Sequence, residues 1–212
     1  MQKQSLSRME ENNGSTCSTE EKIMNAARAV FQRKGFAGTR TRDIAEEAGI
    51  NLALLNYYFR SKQKLFDLIM LESMQGFVGG IAVVVNDTST TIEQKITIMA
   101  DSYIDMFTAQ PDIPLFVLSE MRVNPDKILD KINLHKTMQN SYLFRQIAER
   151  NTQLHPVHFM MNFLGMVIFP FAASPMIRSI GNVSESEFRE LMQQRKKLIP
   201  QWIELMLNNQ PK

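Results

Sequence analysis

A chain of 212 residues with 44% hydrophobic content can bury one or two cores, and its 9 Gly and 8 Pro are too few for a turn-rich β fold. The net charge of +2 excludes no partner by itself. Residues 22–64, however, carry Lys22, Arg28, Arg33, Lys34, Arg40, Arg42, Arg60, Lys62 and Lys64 against only Asp43, Glu46 and Glu47, an asymmetry that points to a polyanion.

In chain order, residues 1–17 are rich in Ser, Thr, Asn and Glu and lack the apolar core of a signal peptide, so they are read as a disordered leader. Cys17 is the one cysteine; it has no intrachain partner, which fits a reducing cytoplasm. Ser18 and Glu21 have capping-box spacing and predict a helix closed by Gly35. Thr41 is expected to cap a second helix with Ile44, Ala45 and Ala48 on its apolar face. Gly49 sits where a tight turn needs positive φ, and Asn51 is placed to cap a third helix whose Leu55 and Phe59 share one face. Two short helices across a glycine turn form a helix-turn-helix, whose second helix enters the major groove of DNA.

Ser61 predicts a fourth helix to about residue 84, weakened at its far end by Gly76, Gly79 and Gly80. Thr91 and Gln94 open a fifth, and Pro114 a short sixth through about Arg122. Asn124-Pro125 predicts a helix to about Asn151, and Pro156 an apolar one ending near Ser174-Pro175. Ser184 and Glu187 cap the last, which Pro200 should kink. The expected fold is all-α: a three-helix DNA-binding unit followed by a helical bundle, about nine helices in all. The domains follow as residues 1–17 leader, 18–60 helix-turn-helix domain and 61–212 ligand-binding and dimerisation domain. The apolar run Val157–Ala173 is too short, and too interrupted by His158, Asn162, Gly165 and Pro170, for a membrane span.

Across residues 19–66 the segments AARAVFQRKGF, TRTRDIAEEAGI and YYFRSKQKLF resemble, in order and spacing, the TetR family of transcriptional regulators. The resemblance implies that Thr41, Tyr57, Tyr58 and Lys62 hold phosphates, and it places base contacts at the start of the third helix. Arg42, with Arg40 and Arg60, adds charge along the same wall. Where the family often carries Lys, a small residue and Thr or Ser, this chain has Leu52, Ala53 and Leu54, and Asn56 replaces a common tyrosine. Ala and Leu can touch thymine methyls and Asn can pair with adenine, so an A/T-containing half-site is expected. A second reading stands for Leu52 and Leu54, as a surface for another protein. Arg28, Arg33 and Lys34 are read as a solvated face.

The Met-rich and Phe-rich remainder is suited to an apolar or aromatic effector. Candidate walls are Phe77, Met99, Tyr103, Phe107, Met121, Met138, Tyr142, Phe159, Phe163 and Met166, each of which also has a reading as ordinary core. His155 and His158 lack the carboxylate or Cys partners of a metal site, and neither cofactor nor metal is called for. Val157–Ala173 and the last helix, with Trp202, are the expected homodimer face. The overall expectation is a cytoplasmic repressor that binds a palindromic operator as a homodimer and is released by a small apolar or aromatic molecule. The alternative is a helix-turn-helix protein regulated by a protein partner. No Gly-rich phosphate loop or recognisable catalytic grouping supports an enzyme.

Overall fold

The computed structural model describes residues 18–123, 126, 130, 131 and 140–208. The expected leader, Cys17 and the start proposed at Asn124-Pro125 lie outside the described residues. Among those described, every regular element is a helix, ten in all. They divide into two compact units, Met1–Ile69 and Met70–Lys212.

The first unit contains α1 (Thr19–Gly38), α2 (Thr41–Glu47), α3 (Leu52–Tyr58) and the beginning of α4 (Lys62–Asn86). The α1 cap is the one its sequence predicts, with the Ser18 hydroxyl accepting from the Glu21 N–H at 3.1 Å and the Glu21 carboxylate accepting from the Ser18 N–H at 2.8 Å. Gly35, at φ 66°, breaks the helical path near its end. The α2 cap differs from expectation. Thr41 is the first helical residue, and the Asp43 carboxylate reaches back to the Arg40 N–H at 2.9 Å. Gly49, at φ 65°, ends α2 in a Schellman motif: the Ile50 N–H donates to the Ala45 carbonyl at 3.0 Å and the Gly49 N–H to that of Glu46 at 3.1 Å. The core of the unit is Ile23, Ala27, Val30, Phe31, Ile44, Ala45, Leu55, Phe59, Leu65 and Phe66, all buried.

The second unit contains the rest of α4, α5 (Ile92–Ala109), α6 (Ile113–Val123), α7 (Tyr142–Arg150), α8 (Pro156–Ala172), α9 (Ser174–Gly181) and α10 (Glu185–Asn208). The Thr91/Gln94 and Ser184/Glu187 capping boxes both form. α7 starts afresh at Tyr142, with the Ser141 hydroxyl accepting from the Phe144 N–H at 3.3 Å. α9 was not expected; Asn182, left-handed at φ 50°, stops it. α10 continues through Pro200 as one helix and lies along α5, tied there by Lys196 to Asp105 at 2.5 Å.

Lys95 has no exposed surface, although it is charged. Its ammonium donates to the carbonyls of Asp87 and Thr90 and to the Thr90 hydroxyl at 2.6–2.7 Å, which uses all three donors and fastens the loop before α5. Burial pushes its pKa down, partly offset by the Asp87 carboxylate.

By length and composition α4 is the one single helix among the described residues able to cross a membrane, and α8 and α9 qualify only as a pair bent by 73°. Among the buried residues of α4, Leu65, Ile69, Met74, Val78, Ile81 and Val85 recur every three to five positions, with Phe66 and Met70 buried beside the first two. That is the pattern of a core helix with one apolar stripe rather than of a span that faces lipid all round.

Candidate nucleic-acid interface and ligand cavity

In the first unit, burying Leu55 and Phe59 turns the rest of α3 outward. Ala53, Asn56, Tyr57 and Tyr58 are exposed, Tyr57 by 80% and Tyr58 by 41%, and their rings meet edge to face at 5.5 Å. Leu52 and Leu54 are half-buried, so Ala53 and Asn56 are the more available for contact with bases. Asn51 is committed to its cap: its Oδ1 accepts from the Leu54 N–H at 2.8 Å. Thr41 is half-buried at the first turn of α2, and Arg40 and Arg42 beside it are exposed.

The basic excess is partly consumed within the unit. Arg33 pairs with Glu47 at 2.6 Å and Lys34 with Asp43 at 3.1 Å, both joining α1 to α2, so these two are more than a solvated face. Glu47 is held below the usual carboxylate range by the Arg33 hydrogen bond, and Asp43 by the Arg40 N–H and then Lys34. Lys62 is also committed, with Nζ donating to the Phe36 and Thr39 carbonyls at 2.8 Å each. Arg42 and Arg60 are exposed and form no ion pair among the described residues. With Lys22, Arg40 and Lys64, which are exposed and likewise form no ion pair among the described residues, they are the positive charge left for a polyanion. Together with Tyr57 and Tyr58 they give a surface of rigid hydroxyl donors and free guanidinium groups suited to a phosphate backbone.

The second unit encloses a cavity of about 70 Å³. Six predicted wall residues line it: Met99, Tyr103, Phe107, Met121, Phe159 and Phe163. Three others do not. Phe77 lies behind Tyr103, ring to ring at 4.6 Å; Tyr142 sits under the Lys95 ammonium at 5.2 Å; and Met166 lines an open groove on the outer side of α8. Met138 lies outside the described residues. Nine further described residues, from α4, α6, α7 and α8, line it outside the sequence expectation; of these Leu143, Phe144 and Met160 follow from where α7 starts and how α8 is rotated. Tyr103 is 92% buried, judged from its 8% exposure, and burial pushes its hydroxyl up to about 12. Arg122 and Arg145 are exposed, away from the cavity. The His155 ring accepts from the Val157 N–H at 3.2 Å as a helix cap, and no metal-ligating cluster occurs among the described residues.

The outer side of α8 is apolar too. Met161 and Phe169 are exposed by 61% and 55%, and Ile180 of α9 and Leu205 of α10 are also exposed. Between α8 and α10 runs a groove lined by Met161, Gly165, Phe169, Leu191 and Leu198, with Arg195 donating to the Met166 carbonyl at 2.9 Å and stacking 5.1 Å from Trp202.

Residues 23–69 match the family model described as bacterial regulatory proteins, tetR family. The chain is similar to the probable HTH-type transcriptional regulator YttP of Bacillus subtilis, 26% identical over 162 residues that cover 73% of this chain and 77% of that protein. Its fold is similar to that of a putative TetR-family regulator from Mesorhizobium loti (TM-score 0.60, 17% identity, covering 89% of this chain and 96% of that one). It is equally close to a TetR/AcrR-family regulator from Thermobifida fusca (TM-score 0.61, 16% identity, covering 91% and 98%). The exposed second helix of the helix-turn-helix and the family match over it lead to one conclusion: residues 23–69 are the DNA-binding domain of a TetR-family transcriptional regulator.

Proposed function

We propose that this regulator is a cytoplasmic repressor that binds a palindromic operator as a homodimer and leaves it when a small, apolar or aromatic molecule occupies the second unit. The observation that carries the reading is the pairing of an outward-facing α3 in one unit with an apolar cavity in the other. Tyr57, Tyr58, Thr41 and Arg42 grip phosphates, while Ala53 and Asn56 read an A/T-containing half-site through thymine methyls and adenine. Pairing is supported by the exposed apolar side of α8 with α9 and α10. A two-fold dimer also doubles the phosphate contacts, which a lone three-helix unit needs for tight binding. The effector acts by preferring one of two dimer arrangements that differ in affinity for DNA.

Operator selection with the purified protein, followed by titration of the selected duplex across salt concentrations, tests this reading. A two-fold-related A/T-containing site and a steep salt dependence are expected. Selection of G/C-anchored half-sites alone would overturn the base reading, and a chain that stays monomeric on its operator would overturn the dimer.

A further inference from the structure

The cavity of the second unit has one polar feature in an otherwise apolar wall. Among the described residues, Met, Phe, Leu, Val, Ile and Pro side chains line it, and Tyr103 is the single one of them with a polar side chain. The Tyr103 ring is clamped by Phe77, Phe107 and Phe163, with centroids 4.6, 5.7 and 5.7 Å away. Its hydroxyl makes no hydrogen bond to a described residue, yet the atom keeps some accessible surface at the cavity it lines, although the residue as a whole is only 8% exposed. A donor set in an apolar wall gains from an acceptor that reaches it there. Three aromatic contacts hold the group in place, so it cannot turn away to find one.

We propose that the cavity takes an uncharged, largely apolar molecule bearing one hydrogen-bond acceptor, such as a ketone, ester or ether oxygen, and that the Tyr103 hydroxyl donates to that oxygen. This deepens the effector reading above and rests on it. A carboxylate or phosphate group inside the cavity would be buried without a cation from the described residues, because no Lys, Arg or His among them lines the wall. A pure hydrocarbon would leave the hydroxyl as it is.

Size adds a second constraint. The cavity of about 70 Å³ exceeds the room needed for a water but falls below the roughly 150 Å³ of an engineered apolar cavity that admits benzene. A ring-sized ligand therefore enters by displacing side chains. Met74, Met99, Met121 and Met160 are the lining residues best able to yield, being unbranched and rotatable about three bonds.

The test uses the full chain, labelled with ¹³C at its methionine methyls, and three probes of similar shape: acetophenone, ethylbenzene and benzoate. Methyl shifts and thermal stabilisation are followed with the wild type and with Tyr103→Phe. Acetophenone is expected to bind about tenfold more tightly than ethylbenzene, with benzoate not binding. Tyr103→Phe should remove the advantage of acetophenone and leave ethylbenzene unchanged. Because no internal bond is lost, the unliganded variant should melt no lower than the wild type.

The proposal is overturned by benzoate binding as tightly as acetophenone, by retention of the ketone preference in Tyr103→Phe, by a lowered melting temperature of the empty variant, or by no probe binding at all. All these measurements are made without DNA. Acetophenone that binds as expected but leaves operator affinity unchanged would therefore count against release by effector, not against the chemistry of the cavity.

Discussion

The ammonium group of Lys62 lies 4.2 Å over the ring of Phe36 and donates to the carbonyl of that same residue at 2.8 Å. A lysine at the first position of α4 is unfavourable toward the helix dipole, and these contacts, with a further bond to Thr39, give it another purpose. It fastens the segment between α1 and α2 to the start of α4.

Lys62→Met is accordingly expected to lower the stability of the chain by roughly 2 kcal/mol, through loss of two charge-assisted bonds. Operator affinity should fall uniformly, with the slope of log affinity against log salt unchanged. A residue that holds a phosphate would instead reduce that slope by about 0.9 on removal. Thermal melts and binding titrations at several salt concentrations separate the two.

Tyr57 presents the opposite case, because 80% of it is exposed. Tyr57→Phe should leave stability within about 0.5 kcal/mol of the wild type. It should weaken operator binding by about tenfold or more, as for a hydrogen bond to a charged phosphate. Fluorescence anisotropy with a selected duplex reads the effect, and unchanged affinity would remove Tyr57 from the interface.

The ion pairs between α1 and α2 predict an acid-sensitive first unit. The folded pKa values of Asp43 and Glu47 are lowered from 3.8 and 4.5, so what they contribute to stability is present above those values and is lost as pH falls through the lower folded ones. The double variant Asp43→Asn, Glu47→Gln should be less stable near neutrality and should show a flatter decline in acid. Amide exchange in α1 and α2 across the acid range checks this.

Gly79 and Gly80 are exposed within α4, and a Cβ built on either meets nothing within 4 Å. Replacing one by Ala should stabilise the chain by about 0.5–1 kcal/mol, since a helix interior penalises glycine and no neighbour forbids a methyl group. An increased melting temperature is expected.

On the outer side of α8, Phe169→Asp should leave the fold intact and convert a dimer to a monomer, read by sedimentation. Operator affinity should fall with it, since each half then binds alone.

What could be read in the sequence was mostly local. The boxes at Ser18/Glu21, Thr91/Gln94 and Ser184/Glu187 act over three residues, and all three form. Gly49 announced a left-handed turn that only glycine enters freely. Ser174-Pro175 is ambiguous in sequence, because proline follows a helix end as readily as it opens a new helix, and here it does both. Within the cavity the composition was right and the facing was not always so: Met160 and Met166 share α8 but point to different sides, and a 3.6-residue period does not say which side is which. Nothing in the sequence marks Lys95, because a fully buried lysine is rare and its carbonyl partners depend on how the loop folds back. For Lys62 the resemblance implies a phosphate contact, and the geometry adds two main-chain carbonyls that no sequence pattern announces.

Helix α8 buries Phe159 and Phe163 on its inner side and exposes Met161 and Phe169 on its outer side. A rigid rod cannot shift one side without carrying the other. Thermodynamic reciprocity then makes protein concentration a variable of effector affinity: whatever occupancy of the cavity does to pairing across the outer side, pairing must do to the cavity by the same factor. An effector constant measured on dilute monomers would differ from the one that governs the assembled regulator, and the ratio of the two would measure the coupling directly.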